Sequence, residues 1–90
     1  MEITPIVWKV GDLAKKYPRV TVELTRSEEG VILYAVRSDG DCLSRGGRWR
    51  YEPFPSNRTA EFFKHYRFPT FEEACEAAVK ACAKLEKQRD

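Results

Sequence analysis

The sequence predicts an α+β fold: a three-stranded antiparallel sheet with helices packed on one face, in the order α-β-β-β-α-α. Three observations carry this expectation. Val20, Val22 and Leu24 alternate with Thr21, Glu23 and Thr25, the period-two signature of a half-buried strand. VILYAVR at 31–37 is apolar enough for a second strand covered on both faces. From Thr70 onward, Phe71, Ala74, Cys75, Ala78, Cys82 and Leu85 recur at helical spacing along a single stripe.

Taken in order, Thr4-Pro5 reads as an N-cap and first helical residue. Ile6, Val7, Val10, Leu13, Ala14 and Tyr17 follow with helical spacing, which predicts a helix over 5–16, ended by Pro18. The β-branched Ile6, Val7 and Val10 and the interior Gly11 weigh against it. A strand over 6–10 followed by a short helix is the alternative. SEEG at 27–30 is a hairpin-length turn between the first two strands, and Asp39-Gly40 is a second turn signal.

After Gly40 the chain reads as irregular through SRGG. A third strand then falls over 47–52, with Trp49 and Tyr51 on its core face and Arg48 and Arg50 pointing outward. Pro53 and Pro55 stop it, since neither can donate to a ladder. Ser56 is a candidate N-cap for a short helix over 57–65 that offers Phe62, Phe63 and Tyr66 as an apolar face. Thr70 and Glu73 form a capping box at the start of the last helix. Glu72, Glu73 and Glu76 come early in that helix and Lys80, Lys84 and Lys87 late, a distribution that suits its dipole.

Ninety residues bound a single domain over 1–90, with 42% hydrophobic and 33% charged residues and no repeat or low-complexity tract. A domain of this size holds one core, with no room for a cofactor cavity beside a substrate cleft. No run approaches eighteen apolar residues, so no membrane partner is expected. MEITPIVWKVGD lacks the features of a secretion signal. Cys42, Cys75 and Cys82 are too few, and odd in number, for a secreted disulfide framework. The expected location is therefore cytoplasmic.

The net charge of +2 is modest, but it is unevenly placed. Between residues 45 and 67, Arg45, Arg48, Arg50, Arg58, Lys64 and Arg67 face only Glu52 and Glu61, a local balance of +4. These six cations are the candidate partner-binding set. Arg48 and Arg50 on one strand face would stand about 6.7 Å apart, a spacing suited to phosphates or to carboxylates on an acidic protein. The plain alternative is that Trp49 and Tyr51 belong to the core and the arginines are solvated charges. The grip would then fall on the Lys15–Lys16 face of the first helix.

Catalytic and metal chemistry find little support in the residues. His65 is the one histidine, with no nucleophile in a recognisable motif near it, and it reads as a surface residue. Glu72, Glu73 and Glu76 read as helix-start charge rather than a carboxylate pair. Cys75 and Cys82 lie about 10.5 Å apart along one helix face, too far to bridge and poorly spaced for zinc. They read as fillers of small gaps in a core. RGGR is too short for a phosphate-cradling loop and precedes a strand. A single copy of it is also a weak form of an RGG-type nucleic-acid contact. No catalytic residue, cofactor or metal is expected.

WRYEPFPSNRTAEFFKHYRFPTFEEA at 49–74 resembles a pattern of small proteins from proteobacterial phages and mobile elements. It shares with them the Y-E-P-x-P-S-x-R core, a short Phe-containing helix and R-F-x-T-x-E-E-A opening the final helix. The element order also resembles a double-stranded-RNA-binding domain, but acidic residues stand where that fold has a basic start to its last helix. The arm-binding domain of phage integrases is similar too, but there the helix follows the third strand directly, without an intervening segment like 53–67. The phage resemblance implies a stand-alone, cofactor-free inhibitor of the anti-CRISPR type. It would block a host protein or nucleoprotein complex in the host cytoplasm, as a monomer or small homo-oligomer. A nucleic-acid-binding module using the basic sheet face is the second expectation.

Overall fold

The computed structural model describes residues 6–11, 20–27 and 29–87 of the chain, without the side chains of residues 86 and 87. Five strands come first, β1 (Val7–Val10), β2 (Val20–Arg26), β3 (Ile32–Ser38), β4 (Asp41–Leu43) and β5 (Trp49–Tyr51). A single 3₁₀ turn over Pro55–Asn57 leads to helices α1 (Ala60–Tyr66) and α2 (Phe71–Lys87). The strands form one antiparallel sheet in the order β1-β2-β3-β4-β5, each paired with its neighbour in sequence. The α+β class stands, with five strands in place of the expected three.

Both extra strands have local causes. Residues 7–10 pair with 20–23 instead of coiling, so the expected helix over 5–16 gives way to the alternative strand. The three β-branched residues between 6 and 10 suit a pleated surface better than a helix. Gly11 ends the strand at φ 125°, a backbone state open to glycine, and the remaining residues of that segment, Lys15 and Lys16 included, lie outside the described ones. The second extra strand follows from the Asp39-Gly40 turn. Ser38 pairs with Asp41, so the loop has two residues, and both take positive φ (49° and 86°). That is the geometry whose twist matches two antiparallel strands, and it folds Asp41–Leu43 directly back along β3.

The pairing register divides the side chains between two faces. One face carries Trp8, Val10, Val20, Val22, Tyr34, Val36, Leu43 and Trp49. There α2 lies against β1, β2 and β3, burying Ala74, Ala78, Ala81 and Cys82 together with Val20, Val22, Val36, Leu43 and Phe68. Trp8, Tyr34 and Phe71 close one end of this core, with ring centroids 4.6 Å apart for Trp8 and Phe71 and 5.7 Å for Tyr34 and Phe71. The stripe expected of the last helix is the one that meets the sheet. No helix among the described residues is long and apolar enough to cross a membrane.

The two helices do not share a face. Phe68 pairs with Tyr34 through two backbone hydrogen bonds of 2.8 Å and sends its ring into the α2 core. Its extended neighbour Arg67 therefore points through to the other side of the sheet. There Arg67 lies over Phe62 of α1, and Arg50, in register with the buried Cys42, lies over Tyr66. The expectation of both helices on one face is corrected accordingly. The start of α1 is also shifted, because Thr59, not Ser56, accepts the Phe62 amide and caps it.

Candidate functional site

On the α1 side of the sheet, charge is organised around Glu52, which follows β5 directly. Its carboxylate receives a two-pronged bond from Arg37 of β3, Nε to Oε1 at 2.9 Å and Nη2 to Oε2 at 2.8 Å. Arg58 donates from Nη2 to Oε2, and Nη2 of Arg67 stands 3.5 Å from Oε1. Glu23 joins at the margin, 3.2 Å from Nη1 of Arg37, and itself accepts from Thr21. Three guanidinium groups thus meet two carboxylates. The planar fork of arginine suits this crowding, because it can share one carboxylate edge with a neighbour.

Arg67 is the most enclosed of the three, with a side chain 0% exposed. Its guanidinium sits 4.9 Å from the Phe62 ring centre, and Nη1 donates to the carbonyl of Tyr66 at 2.9 Å. Among the described residues its Nε and Nη2 have no hydrogen-bond acceptor. Arg58 lies 5.8 Å from the same ring and ties Nε to the carbonyl of Pro53 at 3.0 Å. Phe62 is therefore faced by two cations. The irregular Pro53–Arg58 segment is pinned from within by Arg58.

Ionisation follows this arrangement. Burial alone would raise the Glu52 carboxyl, but the hydrogen bonds from Arg37 and the charges of Arg67, Arg37 and Arg58 hold it below the usual carboxylate range. Burial depresses Arg67; Glu52 offsets part of that, and the charges of Arg37 and Arg58 add to it. Arg37, though burial opposes it, is raised by the hydrogen bonds and charges of Glu52 and Glu23. The Cys42 thiol is pushed up by burial and by the charge of Glu52. Burial and Glu72 likewise raise Cys75, so neither group is poised as a thiolate nucleophile.

The six cations singled out in the sequence thus split. Arg58 and Arg67 turn inward to Glu52. Arg45, Arg48, Arg50 and Lys64 stay exposed. The β4–β5 loop is held to the end of α1 by a hydrogen bond from the Arg45 amide to the carbonyl of His65 (2.8 Å), which sets hairpin and helix side by side. The Arg45 side chain reaches Glu73 at 3.7 Å. His65 faces Glu61 at 3.2 Å on the exposed side of α1.

Trp49 is half-buried on the α2 side of the sheet, as expected, but Tyr51 is not in the core. β5 is the edge strand and α2 spans only β1 to β3, so Tyr51 projects past the helix and remains 72% exposed. Phe54, just beyond it, is 73% exposed. These two rings, together with Arg37 and Glu52, were missed by sequence reading. Glu52 could have been suspected, because it is the one acid between Arg45 and Arg58. Arg37 gave no such sign, since its meeting with residue 52 depends on the strand register.

Among the described residues no group of three or more His, Cys, Asp or Glu side chains is placed to hold a metal ion. No protein-family model, curated protein sequence or solved structure matches the chain.

Proposed function

We propose that the chain is a non-enzymatic binding protein that grips an acidic partner surface with its β4–β5 hairpin and the adjoining end of α1. The observation that carries this reading is the coincidence of exposed Arg45, Arg48, Arg50 and Lys64 with the exposed rings of Tyr51 and Phe54 along one sheet edge. Arginines and large aromatics are the residue types that dominate binding energy at protein interfaces. No described strand pairs with the outer side of β5, which leaves backbone donors and acceptors for a partner segment. The Glu52 cluster holds the base of this hairpin in one geometry, so that less ordering is required on binding. In the phage setting that the sequence resemblance implies, the partner is a host nucleoprotein defence complex and the chain is its inhibitor.

A second reading is favoured by the same two rings, because exposed aromatics interleaved with arginines also form stacking platforms for single-stranded nucleic acid. Two measurements divide the readings. Wild-type protein and Arg48→Glu/Arg50→Glu are used to capture partners from host lysate, and both are titrated with single-stranded DNA and RNA at low salt. Capture of an acidic protein by the wild type alone, without nucleic-acid affinity, supports the inhibitor. Tight nucleic-acid binding that falls steeply with salt supports the alternative. If the reversed pair captures the same partner as well as wild type does, the hairpin is not the grip.

A further inference from the structure

Because α2 crosses only β1, β2 and β3, the outer part of the same sheet face is left open beside it. The result is a trough of about 540 Å³ between α2 and the β4–β5 hairpin, floored by Leu43, Trp49 and Phe68 and walled by Ala77, Ala81 and Leu85. Its α2 wall runs from Glu73 to Leu85, about 18 Å at the helical rise. A channel of that length, open along its top, has the dimensions of a helix rather than of a small molecule. Alanines on the wall allow a second helix axis to approach closely.

The charge on this wall identifies the helix. Glu73 and Glu76 stand at one end and Lys80 and Lys84 at the other. A helix lying antiparallel to α2 with the same distribution would set its lysines against these acids and its acids against these lysines. The macrodipoles would also oppose favourably. α2 itself is such a helix. We infer that the trough receives α2 of a second copy of this chain, related by a two-fold axis that crosses the helix between Ala77 and Ala81. The symmetry makes each favourable charge pairing occur twice, and it places the two helices as a layer between two sheets. Arg48 and Arg50 lie on the opposite sheet face, so this inference stands or falls independently of the grip proposed above.

Sedimentation equilibrium of the full chain, at concentrations up to about 1 mM so that weak association registers, tests it with two charge-swapped variants. Wild type should be a dimer. Lys80→Glu/Lys84→Glu should remain folded by circular dichroism and weaken self-association at least 100-fold, because acid would then face acid. Glu73→Lys/Glu76→Lys should do the same. An equimolar mixture of the two variants should recover a heterodimer. Wild type that stays monomeric throughout overturns the inference, as does a mixture that fails to pair while both variants are folded. A monomer that instead binds a synthetic acidic amphipathic helix in the trough also overturns it and assigns the trough to another partner.

Discussion

A carboxylate that takes two forked bonds from one arginine and neighbours two more concentrates the electrostatics of one sheet face at a single residue. Glu52 is only 12% exposed, so its replacement leaves guanidinium groups partly dehydrated and without their counter-ion. Glu52→Gln is expected to cost about 3 kcal/mol. That corresponds to a melting temperature lower by roughly 12–24 °C for a domain of this size. The effect carries a pH signature. Because the folded carboxyl sits below its usual range, its stabilisation is fully present above the ordinary carboxylate pKa and is lost as pH falls through the depressed value. Urea melts of wild type and Glu52→Gln should therefore differ widely at neutral pH and converge in acid. A constant gap at every pH would assign the loss to packing instead. None of this was legible in the local sequence. A run of arginines looks alike whether its members face solvent or a buried acid, and only the register that brings Arg37 opposite Cys42, beside the returning Glu52, tells them apart.

The elements differ in how openly the sequence declares them, and the difference is physical. α2 was readable because its stripe, its cap and its charge gradient all point the same way over seventeen residues. Thr70 accepts the Glu73 amide at 3.2 Å, so Thr70→Ala should lower stability by about 1 kcal/mol, visible as a shifted urea midpoint with an unchanged slope. The Glu73 side chain turns to Arg45, and the capping box is reciprocal in sequence only. β1 was harder to place because an apolar spacing over so few residues fits both a strand and one helical turn. Gly11 decides the matter in three dimensions. Its φ of 125° is strained for any other residue, and a Cβ there would stand 3.3 Å from Sγ of Cys82. Gly11→Ala should cost about 1–3 kcal/mol, and a melting curve equal to wild type would refute the tight approach of this turn to α2. β4 escaped notice because three residues are too short for any periodicity to show.

At the scale of the whole molecule, the two faces are fastened together by one dipeptide. Phe68 enters the α2 core, Arg67 enters the charged cluster, and their backbone is hydrogen-bonded to β3 between them. Phe68→Ala should cost about 3–5 kcal/mol. Because it loosens the seam, it should also speed hydrogen exchange at the Tyr34 amide, which donates to Phe68, more than at β2. Arg48→Glu/Arg50→Glu should leave the melting curve almost untouched, since both side chains are solvated. The order of the strands also bears on how the chain is made. Every strand pairs with the one synthesised just before it, so the ribosome can release the sheet hairpin by hairpin. The helix that covers its apolar face comes after all five. Until residue 87 has emerged, a growing chain therefore displays Val20, Val22, Val36 and Leu43 uncovered beside unpaired strand edges, a surface that invites a holding chaperone.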